Sequence, residues 1–116
     1  MNLYLQNSYG MTETTGPHVG TPVMYFNPKK PEDFHEVGFP VPGGDLKIKN
    51  QNNDQEGEIC MRGRNVMMGY LKQPEETCKI FDSEGFLASG DIGKVREDGY
   101  LFITGRIKEI IITAGG

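Results

Sequence analysis

The sequence predicts a mainly β fold: short, distorted antiparallel strands joined by turns, with one short helix. Three observations predict it. Glycine and proline supply 16 and 7 of the 116 residues, well above the roughly 12% of average usage, and both interrupt regular structure. Two stretches carry hairpin signals, an alternating pair at 45–62 and a pair around Asp98-Gly99. Only one stretch carries a helix signature.

Taken in order, Met1 to Leu5 alternates and reads as the end of a strand. Residues 6–20 have no periodicity but are rich in Gly, Thr and Ser, which predicts a functional loop. Within the proline-bearing stretch 27–44, only Glu36 to Phe39 looks extended. Asp45 to Lys49 alternates, with Leu46 and Ile48 on one face, as a half-buried strand does. After the polar loop Asn50 to Glu56 the chain returns as Gly57 to Arg62, with Ile59 and Met61 inward, completing a hairpin.

The helix is predicted from Gln73 to Phe81. Pro74 suits the first turn, where its missing N–H costs nothing, and Glu75 and Glu76 suit the positive end of the helix dipole. Asp82 to Gly85 ends it. Ile92 to Arg96 and Tyr100 to Thr104 then flank Asp98-Gly99, the strongest short hairpin signal in the chain. There is no internal repeat.

Composition excludes several functions. A net charge of −4 argues against nucleic acid as a partner, because phosphate binding needs a basic face. No run of 18 apolar residues offers a membrane span, and no basic segment followed by an apolar stretch marks a signal peptide. Mean hydropathy is −0.48, enough for a modest core. Cys60 and Cys78, the only cysteines, have no CxxC or histidine partners for zinc and read as reduced thiols.

The second hairpin has a chemical consequence. If Asp98-Gly99 is a two-residue turn, Glu97 opposes Tyr100 and, further out, Asp91 opposes Arg106. Opposed residues share a face with Cβ atoms about 5 Å apart. One reading is a surface ion pair worth roughly 0–1 kcal/mol. The other is a site, since a carboxylate can accept both hydroxyls of a sugar while a guanidinium steadies the sugar or a phosphate.

The segment Tyr9-Gly10-Met11-Thr12-Glu13 offers comparable chemistry. Tyr9 presents a flat ring for a purine, Gly10 permits close backbone approach, Thr12 supplies a hydroxyl for a phosphate oxygen, and Glu13 is a hard ligand suited to Mg²⁺. Lys108 reads as a solvated charge on a strand. His18 and His35 read as surface residues. Met67, Met68 and Tyr70 read as gap fillers in the core.

Three segments in this order, Tyr9 to Glu13, Ser89-Gly90-Asp91, and Gly105-Arg106-Ile107-Lys108-Glu109 running to Gly116, resemble the AMP-forming (adenylate-forming) ligases. The run Ile103 to Gly116 and the extension Thr14 to His18 are most similar to long-chain acyl-CoA synthetases of the bubblegum type. Ser89 stands where that family usually has threonine.

The resemblance implies a small distorted antiparallel β-barrel subdomain within a larger α/β AMP-binding domain. Residues 1–20 would be its adenine, phosphate and acyl-side loop, with Thr14 to Pro17 on the acyl-pocket floor. Residues 21–105 would be the barrel, and 106–116 the hinge and start of a C-terminal domain. It implies ATP or AMP contacts at Tyr9, Gly10, Met11, Thr12, Asp91 and Arg106, with Tyr9 on adenine and Thr12 on the α-phosphate. Glu13 would hold Mg²⁺, Lys108 would be the hinge, and Gly115 with Gly116 would line the CoA side.

The implied reaction is activation of a fatty acid with ATP, then transfer to CoA, in a parent enzyme that is cytoplasmic or peripheral to the cytosolic face of membranes. The nucleotide motifs are shared with amino-acid and aryl-acid adenylating enzymes, and a non-catalytic β-barrel interaction module is the alternative from another class. The family's Gly/Ser/Thr-rich phosphate loop and its C-terminal catalytic lysine have no counterpart in these residues. The chain is therefore expected to be an internal fragment, inactive alone.

Overall fold

In the computed structural model, residues 6–22 and 35–107 are described. They form β1 (Ser8–Met11), a 3₁₀ turn (Thr12–Thr14), β2 (Gly16–Gly20), β3 (Glu36–Pro40), β4 (Gly44–Lys49), β5 (Gly57–Gly63), α1 (Pro74–Ile80), β6 (Leu87–Val95) and β7 (Leu101–Arg106). The seven strands make one sheet in the order β1-β2-β3-β7-β6-β5-β4, every pairing antiparallel. The mainly β class with one helix is as expected. The sheet is open between β1 and β4, so "barrel" describes only its curl.

The first hairpin forms as its alternation dictates. Leu46 pairs with Met61 and Ile48 with Ile59, and Ile59 and Met61 are fully buried. They join Val19, Val37, Leu87 and Leu101 in a core against which Tyr9, Met11, Met67, Ile80 and Ile103 pack. The helix begins at Pro74 with Glu75 and Glu76 in its first turn. It stops because Asp82 turns the chain: its Oδ1 accepts the N–H groups of Glu84 and Phe86.

That turn is locked onto the first hairpin. Lys47 Nζ donates to Asp82 Oδ2 at 2.7 Å and Glu84 Oε1 at 2.9 Å. Lys47 Nζ and Arg62 Cζ lie 4.3 and 4.4 Å from the Phe86 ring centre, within cation–π range.

Several expectations are corrected. Residues 6–20, read as a loop without periodicity, contain the β1–β2 hairpin. Its strands are only four and five residues long and mix three glycines and a proline with Tyr9, Met11, His18 and Val19, too short a pattern for alternation to announce them. His18, read as a surface residue, is fully buried. Its Nε2 lies 3.0 Å from the Asp45 carbonyl and its Nδ1 3.2 Å from Asn65 Nδ2. The carbonyl can only accept and the amide NH₂ can only donate, which fixes the neutral Nε2–H tautomer. His35 is exposed as expected.

The methionines also divide. Met67 packs on the core, but Met68, at a bend between β5 and α1, is fully exposed.

The second hairpin differs in register. The Arg96 N–H bonds to the Tyr100 carbonyl at 2.9 Å, so Glu97-Asp98-Gly99 is a three-residue loop and Glu97 does not oppose Tyr100. Gly99 takes φ +89°, the left-handed position that such loops require. Val95 then opposes Leu101, and Gly93 opposes Ile103. A bulge at Thr104 shifts the register by one, and Asp91 opposes Arg106 after all. The loop and the bulge offset each other.

Candidate functional site: a carboxylate met by three strands

Asp91 owes its orientation to a second bulge. Glu58 pairs with Ile92 and Cys60 with Ala88, so Ser89, Gly90 and Asp91 together oppose Ile59. Gly90 sits at φ +78° and its N–H is held by Glu58 Oε1 at 3.1 Å. Ser89 Oγ accepts the Asp91 N–H at 3.1 Å. A bulge bends its strand and re-aims a side chain, and here the side chain re-aimed is a carboxylate.

Two groups converge on it. Tyr9 Oη donates to Asp91 Oδ2 at 2.7 Å, and Arg106 Nε donates to Oδ1 at 3.0 Å. β1 and β6 are separated in the sheet by β2, β3 and β7, so this contact exists only because the sheet curls. The Asp91 side chain is 14% exposed and that of Arg106 67%. Burial chiefly, and the neighbouring carboxylate with it, push the Tyr9 phenol far up, against an opposing hydrogen bond to Ser89 and the charge of Arg106. Tyr9 is thus a permanent donor at neutral pH. Each Asp91 oxygen has one donor and keeps a second acceptor position, so the carboxylate can still accept from a ligand. The Arg106 side chain is largely exposed and bonds to Asp91 through Nε.

The turn after β1 holds the other expected residues. Met11 packs on the core, and its N–H and carbonyl both bond to Thr14 Oγ1, at 3.0 and 2.9 Å. Thr12 is exposed on the rim of an open depression of about 400 Å³ lined by Ser8, Gly10, Met11, Thr12, Gly16 and Pro17. Gly10 does permit a close approach, but of its own hairpin: an added Cβ would lie 2.1 Å from the Gly16 carbonyl oxygen. Glu13 Oε1 accepts from Tyr70 Oη at 2.7 Å, and its carbonyl accepts the Met67 N–H at 2.8 Å. Tyr70 is therefore no gap filler.

Lys108, Gly115 and Gly116 lie outside the described residues, as do Met1 to Leu5. The structure thus brings Tyr9, Asp91 and Arg106 together and places Glu13 four residues along from Tyr9. Glu58, Asn65 and Tyr70 support the site and were not singled out as site residues from sequence. Their roles depend on contacts 32 to 57 residues away along the chain, which no local pattern encodes. The thiols stay apart: Cys60 and Cys78 are free, and burial pushes the Cys60 thiol up to about 11. No group of three or more potential metal ligands of the His, Cys, Asp and Glu type occurs among the described residues.

Residues 2–71 match the family of AMP-binding enzymes. That stretch is more than half of the chain and runs from before Tyr9 past Tyr70; the chain belongs to this family. Its relatives include the long-chain-fatty-acid–CoA ligase ACSBG1 of Mus musculus, 46% identical over the whole chain, and ACSBG2 of Xenopus laevis, 44% identical over the whole chain. The chain spans 15% of the length of each of these two relatives.

Among solved structures, o-succinylbenzoate CoA synthetase (MenE) of Bacillus subtilis in complex with the acyl-adenylate OSB-AMP matches with a TM-score of 0.75 and 28% identity, over 87% of this chain and 26% of that one. ATP-bound MatB of Rhodopseudomonas palustris matches with a TM-score of 0.74 and 33% identity, over 88% of this chain and 20% of that one. Asp91 and Arg106 fall beyond the family match but within the stretch aligned to the ligases.

Proposed function

We propose that the chain is the adenylate-binding segment of an ATP-dependent long-chain fatty acid–CoA ligase. The observation that carries this is the convergence of Tyr9 and Arg106, from two other strands, on the Asp91 carboxylate, which keeps spare acceptor positions. Asp91 accepts the ribose hydroxyls, and Arg106 steadies the sugar or the neighbouring phosphate. Tyr9, anchored through its hydroxyl, offers its ring to adenine. Thr12 donates to the α-phosphate. Long-chain specificity rests on the 44–46% identity to the ACSBG ligases.

Mg²⁺ would be held by Glu13, whose Oε2 takes no hydrogen bond from the described residues while Oε1 is tied to Tyr70. A single carboxylate oxygen completed by nucleotide phosphates and water suits this cation, which would supply charge neutralisation on the phosphates. The substrate carboxylate attacks the α-phosphorus, pyrophosphate leaves, and CoA then takes the acyl group as a thioester. These residues contribute position and charge complementarity rather than covalent chemistry. Lys108 is the pivot for the domain movement between the two half-reactions, and Gly115 borders the CoA path.

No helix among the described residues is long and apolar enough to cross a membrane. A cytoplasmic enzyme peripheral to the cytosolic membrane face is the location we propose. The test is fatty-acid-dependent pyrophosphate release by the ligase carrying this segment. In Asp91→Ala with the fold intact, the ATP concentration that supports this release should rise by about one to two powers of ten; an unchanged rate and ATP dependence contradict the reading.

A further inference from the structure

Tyr70 is bonded to Glu13 but belongs to neither the core nor the nucleotide motifs. The segment from Asn65 to Tyr70 grips the turn after β1 at successive residues. The Met67 N–H donates to the Glu13 carbonyl at 2.8 Å, Asn65 Nδ2 donates to the Thr14 carbonyl at 3.0 Å, and Thr15 Oγ1 donates to the Asn65 carbonyl at 2.9 Å. Tyr70 adds the one bond to a functional side chain.

Its own backbone is pinned by α1. The Tyr70 N–H donates to Thr77 Oγ1 at 2.9 Å, and its carbonyl accepts the Gln73 N–H at 3.1 Å. Tyr70 is absent from the side chains that pack on the core, unlike Tyr9. What the residue contributes is therefore its hydroxyl, delivered from a fixed base.

We propose that Tyr70 is a positioning residue that acts on the magnesium–nucleotide complex through Glu13, holding Oε1 so that Oε2 alone faces the cation. The proposal rests on the reading of Glu13 as the cation ligand given above. A phenol donating to Oε1 leaves one oxygen rather than two for the metal. That favours the small octahedral Mg²⁺ over cations that accept bidentate carboxylates.

The test is calorimetric binding of ATP to the full-length ligase, without fatty acid, across a magnesium titration. Wild type, Tyr70→Phe, Glu13→Gln and the double variant are compared, with melting temperatures of the unliganded proteins alongside. Tyr70→Phe should raise the magnesium concentration for half-maximal ATP binding by about three- to tenfold, less than the full worth of a hydrogen bond to a charged group, because the bond orients Glu13 and does not touch the cation. Its melting temperature should stay close to wild type.

Glu13→Gln should shift the requirement further, and the double variant should match Glu13→Gln alone, because residues acting through one another are not additive. A shift in Glu13→Gln without one in Tyr70→Phe overturns the role of Tyr70 and leaves that of Glu13 standing. Additive shifts overturn it too. No shift in Glu13→Gln overturns both readings. Tyr70→Leu, which also removes the hydroxyl, replaces Tyr70→Phe if that variant does not fold.

Discussion

At the scale of single residues, Asp91 differs from an ordinary surface carboxylate by being mostly buried, held at both oxygens, and still able to accept. Asp91→Ala should therefore weaken ATP use by about one to two powers of ten, since losing hydrogen bonds to a charged group costs roughly 1.5–3 kcal/mol. The apparent affinity for ATP in the full-length ligase checks this. Tyr9→Phe tests the anchor separately. It keeps the ring but frees Oδ2, so its effect on ATP affinity should be smaller than that of Asp91→Ala. Thr12 and Glu13 separate by magnesium: Thr12→Ala should slow pyrophosphate release at every magnesium concentration, and Glu13→Gln should shift the concentration required.

At the scale of elements, the turn Asp82–Gly85 is the joint between α1, β6 and the first hairpin. The hydrogen bond from Lys47 first, and the backbone N–H of Phe86 next, hold the Asp82 carboxyl down at about 2. A depressed carboxyl stabilises the fold above its unfolded value and loses that contribution as pH falls through the folded one. The melting temperature should therefore fall as pH drops from about 4 to about 2, and Asp82→Asn should flatten that slope. Thermal melts across this window in wild type and variant check it.

The elements also show what a sequence can carry. The hairpin 44–63 was legible because four apolar residues alternate against a polar loop, and α1 because Pro74, two glutamates and a stop at Asp82 agree. The pairing of Asp91 with Arg106 was reached from a two-residue turn that does not exist; the bulge at Thr104 restored the register. β1 and β2 were not legible, because strands of four and five residues interrupted by three glycines and Pro17 are too short for a period to show. The burial of His18 and the grip of Asn65 and Tyr70 on Glu13 depend on contacts that arise only once the sheet has curled. The nucleotide motifs were legible by resemblance, their spatial convergence only in part.

At the scale of the whole molecule, the proposed function gives the described residues one side of a nucleotide site, with an adenine-side turn, a carboxylate and an exposed guanidinium. Binding a small molecule well requires most of its surface to be enclosed. The 116-residue chain taken alone should therefore bind AMP no better than about millimolar (about −4 kcal/mol) and release no pyrophosphate with fatty acid, ATP and Mg²⁺. Activity of the purified chain, abolished by Asp91→Ala, would contradict this.

Asp91 as the acceptor of the ribose hydroxyls can be probed by altering the ligand as well as the protein. The most direct measurement is the affinity of the full-length ligase for AMP and for 2′,3′-dideoxy-AMP, in wild type and in Asp91→Ala. If the carboxylate accepts both hydroxyls, wild type should prefer AMP by about one to two powers of ten, and Asp91→Ala should lose most of that preference by weakening AMP alone. An equal preference in both proteins would place the ribose elsewhere and contradict the account.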